Sequence, residues 1–169
     1  MPPSAHGVGK HHGPEPAEGM KGMTHISDPH FEERVRKSFD RQNVMHLIRA
    51  TLPVVEHGRT EIHLPHWEGI EQQHGFVHGG VVGTIADSAA GYAAMTVVPA
   101  SATVLTVEYK MNLVAPADGE KLVARGQVVR AGRTLIVTKA EVFAVSDGKE
   151  TLCALMQQTI MVMHGKVEK

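Results

Sequence analysis

Hydrophobic and polar positions along the 169-residue chain change rhythm several times, and each change predicts an element. Residues 1 to about 26 hold many Gly, Pro, His and Lys and few large apolar side chains. Such a stretch cannot bury enough surface to offset its ordering entropy, so a disordered tail is expected. From Ser27 the spacing becomes helical. Phe31, Val35, Phe39 and the run Val44 to Ile48 recur at helical intervals and predict an N-terminal helix over 27–50. Ser27 or Asp28 can cap it, Pro29 suits its first turn, and Glu32 and Glu33 lie near its positive end. Pro53 ends the pattern. Val55, Ile62 and Leu64, alternating around His57-Gly58, then read as a strand or hairpin.

A polar loop from Glu68 to His78 leads into Gly79-Gly80 and a proline-free segment from Val81 to about Thr96. That segment is made almost wholly of small or apolar residues, and Asp87 is its one charged residue. A helix apolar nearly all round is a buried helix. Four strand-like runs follow: Thr103 to Val114, Lys121 to Arg130, Arg133 to Val145 and Thr151 to Met163. In the first, Leu105, Val107, Tyr109, Met111 and Leu113 alternate with Thr106, Glu108, Lys110 and Asn112. Turn residues separate the runs, and His164 to Lys169 look frayed. Consecutive strands with short turns pair antiparallel. Their sheet must cover its apolar face, and the Asp87 helix is the one strongly apolar helix that can do so. The expected architecture is α+β: a curved antiparallel sheet of about five to six strands wrapped round a central buried helix, within a domain spanning 27–163. It leaves an edge strand that two copies can pair.

Composition narrows the classes of partner. The formal net charge is -1, which gives no field for nucleic acid or anionic lipid. One cysteine, Cys153, rules out an intrachain disulfide framework and suits a reducing compartment; in a strand it reads as a small apolar filler. No apolar run approaches the roughly 18 residues that span a bilayer, and the N-terminus does not read as a secretory signal. A cytoplasmic protein is the expectation. None of the twelve histidines shows a compact ligand spacing such as H-E-x-x-H, so no metal is expected. His6, His11 and His12 read as a solvated tail, and His57, His66 and His74 as surface or structural residues.

The candidate chemistry lies in Gln72-Gln73-His74-Gly75-Phe76-Val77-His78-Gly79-Gly80 and in Asp87. Gly79 and Gly80 stand where loop becomes helix, so their N–H groups lack intrahelical partners and no side chain blocks a ligand. Such N–H groups stabilise the negative charge that develops on a carbonyl oxygen under attack. A carboxylate within a buried helix is costly unless it is used or paired. Asp87 lies roughly 10 Å along its own helix from Gly80, too far for one carbonyl to touch both. A second copy of the helix, antiparallel across a dimer, would bring the two together.

Gln72 to Gly80 followed by Asp87-Ser-Ala-Ala-Gly-Tyr resembles the signature of the PaaI-type hot-dog thioesterases of phenylacetate pathways, and is similar to the 4-hydroxybenzoyl-CoA thioesterases. Thr106-Val-Glu-Tyr-Lys-Met-Asn-Leu-Val-Ala-Pro-Ala resembles that family's strand after the central helix, and Val128-Val-Arg-Ala-Gly-Arg-Thr134 its next strand turn. The resemblance covers about residues 50 to 163. It implies a hot-dog fold and hydrolysis of an acyl-CoA to free acid and CoA, with no cofactor beyond the CoA of the substrate. Asp87 would attack the thioester or activate water, Gly79 N–H would polarise the carbonyl, His78 would orient the loop and Thr106 would hold the water. Gly80, Phe76 and Tyr92 would meet the substrate, and Arg133 and Thr134 would lie where the family meets CoA phosphates. Asp87 and Thr106 would face His78 and Gly79 of a neighbouring subunit, in a homodimer or dimer of dimers. Family members often carry Asn where this chain has Gln72, so Gln72 or Gln73 would take that amide's role. Tyr92, Met95, Phe76 and Met111 suggest an apolar or aromatic acyl pocket. The rival reading is a non-catalytic acyl-CoA binder or sensor; a hot-dog dehydratase is weaker, because those enzymes pair a catalytic His with a carboxylate in another arrangement.

Overall fold

A computed structural model describes residues 27–166. The expected tail over 1–26 and residues 167–169 of the expected frayed C-terminus lie outside them, whereas His164 is still paired in the sheet, with Ala102. The elements run α1 (Phe31–Phe39), α2 (Asn43–Leu47), β1 (Thr51–Glu56), β2 (Arg59–Pro65), α3 (Gly79–Met95), β3 (Ala102–Leu113), β4 (Lys121–Ala131), β5 (Leu135–Ser146) and β6 (Lys149–His164). The six strands form one antiparallel sheet in the order β1-β2-β4-β5-β6-β3. This is the hot-dog fold, with α3 packed against β2 to β6.

The N-terminal helix is broken where the sequence suggested one run. After Phe39 the backbone tightens, with Arg41 N–H donating to Ser38 O at 3.1 Å and Gln42 N–H to Phe39 O at 2.9 Å. These three-residue bonds end α1. α2 then exposes Val44 and Leu47, whose apolar spacing had suggested a continuous buried stripe. Arg49 at φ 64 turns the chain into β1. Asp28 sits just ahead of α1, buried, and its Oδ1 accepts from His30 N–H at 2.9 Å. The first-turn carboxylates Glu32 and Glu33 fall as expected.

Two devices fix α3 on the sheet. A Cβ on Gly126 of β4 would lie 2.2 Å from Ala89 O, so only glycine admits the helix so close. Beside it the Thr60 hydroxyl donates to the same carbonyl at 2.6 Å. The C-terminal end of α3 is held by Arg34, whose guanidinium donates to Met95 O at 3.0 Å and Val98 O at 2.9 Å and pairs with Asp28 at 2.8 Å. A cation on those carbonyls satisfies them and complements the helix dipole. Ile85, Ala86, Ala89 and Ala90 are fully buried, as the apolar composition of α3 requires.

Strand β3 departs from simple alternation. Its register against β6 shifts between Thr106 and Glu108, leaving Val107 as an extra residue. A bulge of one residue changes which face the side chains take. Thr106 therefore turns toward α3 together with Val104, whereas Leu105 and Val107 are exposed, opposite to the phase read from the sequence. Beyond the bulge, Tyr109 and Met111 approach Gly83 of α3 and Leu113 approaches Gly79.

Candidate active site

The half-buried carboxylate of Asp87 lies midway along α3, over the bulge in β3. Its Oδ1 accepts a hydrogen bond from the Thr106 hydroxyl at 2.8 Å and another from the side-chain amide of Gln158. That amide nitrogen also donates to Thr106 Oγ1 at 2.8 Å, and the buried Thr138 hydroxyl donates to Gln158 Oε1 at 3.1 Å. Among the described residues, Oδ2 of Asp87 has no hydrogen-bond partner. A carboxylate on a buried helix is thus compensated at one oxygen and left open at the other.

A cavity of about 410 Å³ opens beside it. One wall is a helical stripe of α3: Asp87, Ser88, Gly91, Tyr92 and Met95. Val104, Leu105 and Thr106 of β3 form the second wall, and Ser38 and Gln42 of the α1–α2 segment the third. Tyr92 meets Phe39 edge-on at 5.8 Å and its hydroxyl lies 3.4 Å from that of Ser38. Met95 closes the far end and also lines a larger cavity of about 720 Å³ between α1 and the start of β3.

At its start, α3 is capped by His78. The imidazole Nδ1 accepts from Gly80 N–H at 2.9 Å, while Gly79 N–H has no partner among the described residues. The helix therefore presents one open N–H at its positive end. Gly79 and Asp87 are eight residues apart, about 12 Å along the axis.

The thioesterase superfamily model matches residues 74–151, which include α3 and both Gly79 and Asp87. A thioesterase family protein from Silicibacter pomeroyi is 44% identical, and the match covers 80% of this chain and 99% of that one at a TM-score of 0.79. The chain belongs to the thioesterase superfamily. A Saccharolobus solfataricus protein, named only as a candidate esterase, is 36% identical over 95 residues, covering 56% of this chain and 66% of its own length. The Escherichia coli PaaI protein of the phenylacetic acid degradation operon shares the fold at 16% identity and a TM-score of 0.73, covering 85% of this chain and all of that one (100%).

Within this superfamily fold the site residues named from sequence fall into four groups. Asp87, Thr106 and Tyr92 meet at one cavity. Gly79, Gly80 and His78 gather at the start of α3, where Gly80 N–H is engaged by His78 rather than open. Gln72 and Phe76 lie in the preceding loop, half-buried; Gln72 Oε1 accepts from His74 N–H at 2.7 Å and Gln72 N–H donates to Phe76 O at 2.8 Å. Gln73 is exposed. Arg133 and Thr134 are exposed in the β4–β5 turn, where Arg133 O lies 2.8 Å from His164 Nε2. Neither they nor Phe76 and Met111 line the Asp87 cavity. Cys153 is buried, and burial pushes its thiol pKa up, as a core filler requires.

Two residues of this candidate site were not anticipated. Gln158 and Thr138 occupy inward rows of β6 and β5 between apolar neighbours: Met156 and Ile160 flank one, Ile136 and Ala140 the other. A polar residue in phase with a buried alternating row is the signal that reveals them. No helix among the described residues is long and apolar enough to cross a membrane.

Proposed function

We propose that this chain hydrolyses an acyl-CoA thioester to a free acid and CoA. The observation that carries the reading is the Asp87 carboxylate, held at Oδ1 and open at Oδ2, lining a cavity on a thioesterase-superfamily fold. Asp87 takes a proton from water at Oδ2, and the water oxygen attacks the thioester carbonyl. The oxyanion rests on an open N–H at a helix start, the role for which Gly79 is suited. Collapse of the tetrahedral intermediate breaks the C–S bond, and the CoA thiolate leaves and takes up a proton.

The 12 Å separation within one helix requires Gly79 of a partner subunit. Edge strand β3, with exposed Leu105, Val107, Tyr109 and Leu113, is the surface on which a second copy would pair. The acyl group would run from Asp87 along Gly91 and Tyr92 toward Met95, and Arg133 would meet CoA phosphate in the assembled protein. A reducing, cytoplasmic setting suits the single buried thiol.

Thiol release from a panel of short, medium, long and aryl acyl-CoAs tests the reading. Wild type should release CoA, and Asp87→Asn should lose at least about a hundredfold in kcat. Full activity in Asp87→Asn would refute the mechanism. Tight acyl-CoA binding with no thiol release from wild type would instead support the non-catalytic binder.

A further inference from the structure

Gln158 is 1% exposed and stands in the inward row Ala154, Met156, Gln158, Ile160, Val162 of β6. A methionine or leucine would fill that place without needing hydrogen bonds. Both ends of the amide are engaged. Oε1 accepts from the Thr138 hydroxyl at 3.1 Å, and Nε2 donates to Thr106 Oγ1 at 2.8 Å and to Asp87 Oδ1. Nε2 also lies 3.5 Å from the Asp87 backbone carbonyl, so the two N–H donors of the amide face acceptors on Thr106 and Asp87 alone. The orientation is dictated, because a carboxylate can only accept. The amide must therefore turn its nitrogen to Asp87 and its oxygen to Thr138. The resulting chain of hydrogen bonds crosses β5, β6 and β3 and ends on α3.

We infer that Gln158, backed by Thr138, is a positioning residue for Asp87: it locks the carboxylate through Oδ1 and leaves Oδ2 as the reacting oxygen. The inference rests on the reading of Asp87 as the group that acts on the thioester. Two donors on one oxygen fix the side-chain rotamer. Thr106 alone would supply one donor and would lose the partner that orients its own hydroxyl. The other titratable group lining the cavity is Tyr92 of the same helix. α1 and its following turn contribute Ser38 and Gln42, and β3 contributes Val104, Leu105 and Thr106, none ionisable near neutrality. A change at Gln158 therefore reaches Asp87 without a competing charge in the cavity.

The test follows the Asp87 carboxyl directly. In protein carrying carboxyl-¹³C aspartate, the Asp87 resonance is assigned by its absence in Asp87→Asn and recorded at one fixed, neutral pH. Gln158→Met should move and broaden that resonance, because the carboxyl loses a donor and its single rotamer, and Gln158→Glu, which sets an acceptor where the donor stood, should move it as well. Thr138→Val, a smaller change that removes the donor behind the amide, should shift it too, and it stands in if Gln158→Met does not fold. In the thiol-release assay the folded Gln158→Met protein should lose roughly tenfold or more in kcat with KM within about threefold of wild type. A resonance unchanged in the folded Gln158 and Thr138 variants overturns the inference, whether or not the wild type turns over a given acyl-CoA. Full activity in Asp87→Asn would sink the reading of Asp87 instead, and leaves a distinct signature.

Discussion

The Thr106 hydroxyl donates to Asp87 Oδ1 at 2.8 Å, a contact between an edge strand and the central helix made possible by the one-residue bulge at Val107. Thr106→Val keeps the shape and removes the donor. A hydrogen bond to a charged group contributes about 1.5–3 kcal/mol, so kcat should fall roughly 10- to 100-fold. The protein should keep its thermal midpoint within a few degrees. Steady-state kinetics beside a melting curve checks both; an unchanged kcat would remove Thr106 from the site.

That contact also shows what could be read in the residues. The order helix, hairpin, buried helix, four strands was legible because each apolar run had its own period and its own turn residues. Asp87 was legible because one charge among small apolar residues is costly. The face taken by Thr106 was not: alternation across Leu105, Val107 and Tyr109 puts it outward, and a bulge leaves no mark in composition. Gln158 was legible in principle, since strict alternation from Ala154 to Val162 places it inside. Which buried carboxylate it serves depends on β6 lying next to β3, a pairing between distant runs that local pattern does not state. The break after Phe39 was hidden because neither Gly nor Pro marks it.

Met95 separates the Asp87 cavity from the larger one beyond it. Shortening it should let longer acyl chains pass. Each methylene newly buried is worth about 0.8 kcal/mol, so the preference for a longer acyl-CoA should rise roughly fourfold per methylene in Met95→Ala. Met95→Leu, nearly equal in volume, should leave the preference in place. The ratio of kcat/KM across a series of acyl lengths is the measurement. The same ratio in Met95→Ala and wild type would show that the acyl group takes another path.

Gly126 sets how closely α3 approaches β4. A Cβ there meets backbone rather than a flexible side chain, 2.2 Å from Ala89 O. Gly126→Ala must therefore push the helix off the sheet and strain the Thr60 bond to the same carbonyl. The expected cost is about 1–3 kcal/mol in chemical denaturation, with a lowered midpoint and a nearly unchanged slope. Because the helix carries Asp87, kcat should fall as well. Wild-type stability in this variant would contradict the packing described.

The central claim is that one thioester is worked on by Asp87 of one subunit and Gly79 of the other, and mixed dimers test it most directly. Gly79→Pro removes the open N–H at the first helical position, where proline is tolerated, and His78 already has an extended backbone suited to precede it, at φ -59 and ψ 134. Each of Asp87→Asn and Gly79→Pro should be nearly inactive alone. Unfolded and refolded together, they should recover about a quarter of wild-type thiol release, because half of the dimers are mixed and each mixed dimer has one intact site. No recovery from a mixture shown by native mass spectrometry to contain mixed dimers would contradict a site shared between subunits.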